Sequence, residues 1–345
     1  MLDSSVMPIL LQERTDALCR RQCAFALYAL PGEEIRFCMQ KDGGMHSGSE
    51  GEGFVIATYN GELGIIRSEL SEPPEASAYA ILPPRKPPEE ETTRCEYHRL
   101  FELYTAQLHG EHALGKLVLA RTEDVPAPDF SPTRALQTLC NTNPNAFNAL
   151  FHSPEHGTWL CSTPELLLQR QGTEWHTMAL AGSRVATQEP WDAKNINEHA
   201  PVAQHIRECI APIADTLHEH GPYTVSAGRM LEHLRTDFSF TAAAKHLPAL
   251  LQALPPTPAV SGFPALRARA FLAAHPDINR SCYAGYIGPV SKNSTHLYVT
   301  LRCMQVFPSL CRLYAGGGLM PDSVEANEWA ETVLKMQNML RLIIP

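Results

Sequence analysis

The run AGGGLMPDSVEANEWAETVLK, residues 315–335, sets three consecutive glycines ahead of a segment with helical spacing. At about 100° per residue, Glu328, Glu331 and Lys335 share one helical face, while Trp329, Val333, Met336 and Leu340 form an apolar stripe on another. Such a helix can bury its apolar side and still hold two carboxylates and an ammonium toward a cavity. The glycines predict a turn whose bare backbone N–H groups come close to an anionic ligand. Glycines, acids and a lysine in one short segment read as a site for a carboxylate bridged by a metal.

The rest of the chain narrows the function. Its 345 residues can bury one large core or two, and the hydrophobic fraction of 44% is that of a globular protein. A formal net charge of -9 argues against nucleic acid as a partner, because phosphate binding calls for basic surface. No apolar run approaches the roughly 20 residues of a membrane-spanning helix. Asp3 stands where a signal peptide would carry its basic region, so the first residues read as an amphipathic helix and the protein as cytoplasmic. The ten cysteines include no CxxC pair and no finger-like Cys/His group, and they read as reduced thiols.

Strand-like and helical runs alternate irregularly. Strands are expected at CAFALYAL, GEGFVIATYN, KLVLARTEDV, NAFNALFHS, GTWLCSTPELLLQRQG, EWHTMALAG, YAGYIGPVS and HLYVTLRCMQVF. Helices are expected over EYHRLFELYTAQLHG, from about Pro201, through ALLQAL and at the C-terminus. The absence of a regular βαβ rhythm predicts an α+β fold. Residues 83–93, proline-rich and charged, read as a surface linker, and PPTPAVSGFP reads as a loop that could wall a cavity.

Several residues could carry chemistry, and each alone has an ordinary explanation. Lys116 opens the KLVLAR strand and is either a surface lysine or an amine drawn into an apolar site to accept a proton from water. Glu165 is either a solvent-facing strand residue or a desolvated acid able to protonate a leaving group. Gly182 and Ser183 form a glycine turn that could bind a carboxylate, and Glu198 precedes a helix, where its charge suits the dipole. His233 reads as a core histidine or a site residue. Arg302, in the apolar run YVTLRCMQ, calls for an anionic partner, and Tyr283 precedes a Gly-x-x-Gly run.

Taken in order, LGKLVLAR, STPELLLQR, ALAGSR, NEHAPV, LEHL, PTPAVSGFP, RSCYAGYIG, VTLRC, AGGGLMPDS and EWAETVLK resemble the chorismate-utilising enzymes. The resemblance covers residues 94–345 as the chorismate-binding catalytic region, with residues 1–82 a loosely matched N-terminal portion of the same fold. It implies a single large α+β domain in which two subdomains pack sheet against sheet, with helices outside and the site in a cleft. It implies Mg2+ held by Glu198, Glu328 and Glu331, with Gly182 and Ser183 near the ring carboxylate of chorismate. Tyr283 and Arg302 would bind the enolpyruvyl carboxylate, helped by backbone N–H groups at Gly316 and Gly317. Lys335 would neighbour the charges and His233 the ring.

Within that family Lys116 matches the general base of the water-using members, and Ala181 stands where some amine-forming members place a nucleophilic lysine. The resemblance therefore implies an isochorismate synthase, for menaquinone or a catechol siderophore, with Glu165 as the acid. No glutaminase subunit is implied, and a monomer is expected. Its rivals are a salicylate synthase, an ammonia-using anthranilate or aminodeoxychorismate synthase component, and a non-catalytic chorismate-binding module. The chain departs from the family pattern at Lys194-Asn195-Ile196, at Pro201, which is expected in the first turn of its helix, and at Pro255-Pro256-Thr257-Pro258.

Overall fold

A computed structural model describes residues 9–48, 51–75, 77, 91–187, 189–227 and 231–344. Its architecture follows from the period-two alternation of its strands. Along Phe147–Ser153, Phe147, Ala149 and Phe151 enter one apolar core and Leu150 enters another; along Phe25–Ala29, Ala26 and Tyr28 divide from Phe25 and Leu27 in the same way. Strands apolar on both faces must be covered on both. One side meets a second sheet and the other meets helices.

The first sheet has eight strands, in the order Gly262–Phe263, Lys116–Pro126, Leu310–Leu319, Cys303–Val306, Gly157–Thr163, Phe147–Ser153, Phe25–Ala29 and Arg36–Met39. The second has nine: Thr216–Ala227, Leu231–Thr241, Glu174–Val185, Leu166–Gln171, Ser294–Val299, Tyr286–Val290, Gly53–Ala57, Leu63–Arg67 and His46–Ser47. All neighbouring pairs are antiparallel. The α+β expectation is therefore met, and residues 25–67 supply strands to both sheets. Aromatic rings close the space between the sheets. Phe147 of the first stacks on Tyr298 of the second at 4.3 Å between centroids, and Phe54 lies against Tyr28 and Phe151.

Helices Ile9–Arg20, Pro132–Thr142 and Glu325–Leu340 cover part of the outer face of the first sheet through Leu18, Leu136, Leu139, Met336 and Met339. Arg94–Thr105 and Ala265–Ala274 cover the rest, packing Tyr97, Leu100 and Ala268 on Leu117 and Leu119. Ala193–Ile210 packs on strands Glu174–Val185 and Leu231–Thr241. Among the described residues no helix is long and apolar enough to cross a membrane, and all ten cysteines are free.

Several expectations are corrected. The run Gly316–Gly318 is not a turn but the end of strand Leu310–Leu319, and the helix begins only at Glu325. That helix buries Glu328, Thr332, Met336 and Met339, whereas Val333 is exposed. Its sheet-facing stripe is thus rotated from the one that hydrophobicity alone selects. Pro201 lies ninth in its helix, which starts after the Asp192 cap, so the Asn197 carbonyl has no helical N–H to accept. A proline there costs about 3 kcal/mol in an isolated helix, and buried Val202, Ala203, Ile206 and Ile210 offset it. Arg302 is not in a strand. It sits at φ 47 between Ser294–Val299 and Cys303–Val306. The hairpin of Thr216–Ala227 and Leu231–Thr241 was not legible, because its outer strand is polar and mostly exposed, with Leu217 and Val225 its contacts to the core and ladder pairing its main support. Of the expected linker, residues 83–90 lie outside the described residues.

One buried pair ties the loop before Tyr283 to the first sheet. Arg280 Nη2 lies 2.5 Å from Asp277 Oδ2, which also accepts from the Ala120 N–H at 2.8 Å, and Arg280 donates to the carbonyls of Val118 and Val260. Both residues are buried, and the carboxylate holds the guanidinium's protonation well above its ordinary range despite burial. Asp277→Ala leaves that charge uncompensated and should lower the unfolding free energy by about 3–5 kcal/mol in urea titration; a loss under about 1 kcal/mol would contradict this account.

Candidate active site

Strand parity puts the lysine inside. Leu117 and Leu119 face the outer helices, so Lys116 and Val118 face the space between the sheets. Lys116 is fully buried, and its Nζ lies 3.0 Å from Glu198 Oε1. The neighbouring strand pairs Gly318 with Val118 and Gly316 with Ala120. A Cβ at Gly318 would overlap the Glu198 carboxylate and stand 2.6 Å from Lys116 Cε; one at Gly316 would stand 2.9 Å from Tyr283 Oη. Gly317 faces the other way, where a Cβ would be 3.1 Å from Glu328 Oε2. The glycines thus form a floor of bare backbone, with the Lys116–Glu198 pair and Tyr283 on one face and Glu328 on the other.

Glu198 arrives from helix Ala193–Ile210, which rests on a β-bulge in strand Glu174–Val185. The bulge residue is Gly182 at φ 78, and a Cβ there would come within 2.9 Å of the Asn195 carbonyl oxygen. Only glycine accepts both the backbone angle and the close helix. One helical turn beyond Asn195, Glu198 is delivered to Lys116.

The cavity above this floor has a volume of about 70 Å³, and its walls include Glu165, Gly182, Ser183, Glu198, His233, Tyr283, Arg302, Gly316 and Lys335. Glu165 is 4% exposed, and burial pushes its carboxyl up to about 7, opposed by the charges of Lys116, Lys335 and Arg302. His233 Nε2 lies 3.0 Å from an Arg302 Nη2. Because a guanidinium only donates, Nε2 accepts and Nδ1 carries the hydrogen toward Ser183 Oγ at 2.9 Å and the Gly182 carbonyl at 3.3 Å. Burial, with the nearby Arg302 and Lys335 charges, pushes the imidazole down to about 3, so it stays neutral.

The remaining expected residues stand just outside the cavity wall. Lys116 reaches it through Glu198. Glu331 pairs with Lys335 at 2.6 Å, and Lys335 also donates to the Gly316 carbonyl at 2.8 Å. Glu328 Oε1 receives Lys194 at 2.5 Å and Ser323 at 2.7 Å. Each of the three acids expected to hold metal therefore has its own lysine, and among the described residues no group of three acidic, histidine or cysteine side chains stands close enough to share an ion. Buried Glu328 Oε2 has no hydrogen-bond partner. Gly318 and Lys194 were not assigned roles from sequence. The third glycine of the run was the available sign of the first; for the second it was the lysine retained at the head of Lys194-Asn195-Ile196.

The model of the family described as chorismate binding enzyme matches residues 65–344. The isochorismate synthase EntC of Escherichia coli K12 is 30% identical over 255 residues, covering 69% of this chain and 64% of that protein. The salicylate biosynthesis isochorismate synthase of Pseudomonas aeruginosa is 31% identical over 239 residues, covering 65% of this chain and 50% of that protein. The chain thus spans less than two-thirds of the length of the curated relatives it matches. Among solved structures, MenF, the menaquinone-specific isochorismate synthase from E. coli, superposes with a TM-score of 0.77 at 21% identity, covering 98% of this chain and 92% of that one. The fold is shared with it.

The neutral histidine carries a pH signature. Between pH 6.5 and about 3 the unfolded chain binds a proton that folded His233 refuses, so this residue's stabilisation is complete above 6.5 and lost as pH falls. At about pH 5 the loss amounts to roughly 2 kcal/mol. Urea unfolding at neutral and mildly acid pH should show a smaller loss by about that amount in His233→Gln; an equal loss in both proteins would exclude His233 as the cause.

Proposed function

This chain belongs to the chorismate-binding enzymes, and we propose that within them it is an isochorismate synthase, moving the hydroxyl of chorismate from C4 to C2. The observation that carries the proposal is a buried carboxyl raised to about 7 in a cavity whose charge environment includes the amine of Lys116. Acid–base replacement of a hydroxyl needs an acid still protonated near neutrality and an amine on hand to accept a proton.

In this reading Lys116 takes a proton from the water that attacks C2, both conjugated ring double bonds shift, and the C4–oxygen bond breaks. Glu165 gives its proton to the departing hydroxyl, so one water enters and one leaves. Lys116 is paired with Glu198 as an ammonium, so it can take a proton from water only after giving up the one it holds in that pair. Arg302, braced by His233, and Tyr283 bind the enolpyruvyl carboxylate, while Gly182 and Ser183 border the ring carboxylate. Ala181, small and on the cavity wall, offers no competing nucleophile. The proposal extends to a cytoplasmic monomer with no glutaminase subunit, serving menaquinone or siderophore synthesis.

As they stand, Glu198, Glu328 and Glu331 are each paired with a lysine and do not meet, so a divalent cation would have to displace those lysines. The donor already free for it belongs to Glu328. Glu328 Oε2 is buried without a partner, Gly317 leaves the space beside it free of a side chain, and carboxylate oxygens are the donors magnesium prefers. Glu198, Glu328 and Glu331 would hold Mg2+, which when bound supplies positive charge to a substrate carboxylate. Calorimetric titration with MgCl2 should show binding at least about tenfold weaker in Glu328→Gln and Glu331→Gln; unchanged binding would remove these acids from the site.

Chromatography after incubation with chorismate and MgCl2 should show isochorismate without pyruvate. Salicylate with pyruvate would reassign the chain to salicylate synthases, an ammonium-dependent aromatic amine to the ammonia-using members, and binding without turnover to a binding module. Lys116→Ala and Glu165→Gln should each lower turnover by about 10²–10⁴-fold in folded protein. Because Glu165 must be protonated to act, the rate should fall as pH climbs through about 7; a rate flat through that range would exclude it as the acid.

A further inference from the structure

We infer that the chain has a second small-molecule site, a cavity behind the active site that takes a small organic monocarboxylate with an apolar body on Arg269. The inference does not depend on the reaction proposed above. The cavity, about 1070 Å³, lies between helices Leu247–Ala253 and Ala265–Ala274, the turn at Tyr59 and Asn60, and the loop leading to Tyr283. Its walls are largely apolar, with Pro248, Leu251, Leu272, Ala273, Ile278 and Tyr286 among them. Small-molecule sites have this makeup, an apolar body with few polar groups to orient the ligand.

Charge selects the ligand. The cavity's charged residues are Asp277, Arg280 and Arg269. Asp277 and Arg280 neutralise each other. Arg269 has no acid among the described residues: its Nη2 donates to the Pro256 carbonyl at 3.0 Å, and its buried Nε donates to nothing. A half-buried guanidinium against apolar walls is incompletely compensated, and one carboxylate would complete it. A phosphate dianion would bring more charge than this lone cation balances.

The wall between the two cavities is shared. Arg280 donates to the carbonyls of Val118 and Val260, and both residues line the active-site cavity. Its own carbonyl accepts the Tyr283 N–H at 2.7 Å. An occupant of the rear cavity would therefore lie against the residue that fixes the active-site wall.

Calorimetry with benzoate, and with benzamide as its uncharged match, tests the inference on the full chain. Benzoate should bind wild type and Arg302→Leu alike, roughly tenfold or more weakly to Arg269→Leu, and with intermediate strength to Arg269→Lys. Benzamide should bind wild type about as weakly as benzoate binds Arg269→Leu. Thermal melts establish that each variant is folded. Affinity that follows Arg302 and ignores Arg269, benzamide binding equal to that of benzoate, no binding by wild type, or a benzoate complex with the rear cavity empty would each overturn the assignment.

Discussion

The ion pair between Lys116 and Glu198, pressed against the bare backbone of Gly318, is the constraint around which the rest of this site is arranged. A charged lysine with no solvent exposure needs a carboxylate beside it, and the carboxylate fits only because its neighbour has no side chain. Meeting both demands takes strand parity on one element, a glycine on the next and a helix seated on a bulge. The bulge at Gly182 fixes the height of that helix, so a backbone irregularity far from Lys116 in sequence decides where its partner stands.

The same site separates its acids by environment. Burial acts to raise the carboxyl of Glu198, but the charge of Lys116 beside it overcomes burial and lowers it. The carboxyl of Glu328, though paired with Lys194, is raised by burial and by Glu331. Glu165 reaches comparable burial with cations near it but no ion-pair partner among the described residues, and its proton affinity rises. Carboxyls of the same type thus become suited to holding charge or to delivering a proton through their surroundings alone. His233 adds the complementary case, a ring kept neutral so that it can always accept from Arg302.

Where sequence and structure parted, tertiary context outweighed local preference. Three glycines in a row look like a turn, yet here they are strand, because an antiparallel ladder on Lys116–Pro126 organises them and their lack of side chains serves close packing. Pro201 looks like a helix start but lies mid-helix, held by the apolar face beyond it. Arg302 sits in an apolar run yet interrupts it with a left-handed backbone that separates two strands belonging to different sheets.

The chain's sequence alone determined the α+β class, the placement of most helices and strands, and the set of Glu165, Glu198, His233, Tyr283, Arg302 and Lys335 to look for around one cavity, though not Lys194. Those follow from local periodicity and from the order of short motifs, which survive any reading of the fold. Only the tertiary structure decided which acid meets which lysine, which face of the C-terminal helix is buried, and which carboxyl stands without a lysine of its own. Apart from the i,i+4 pair of Glu331 and Lys335, these are properties of long-range pairing and burial, set by residues far apart in the chain, and no local spacing encodes them.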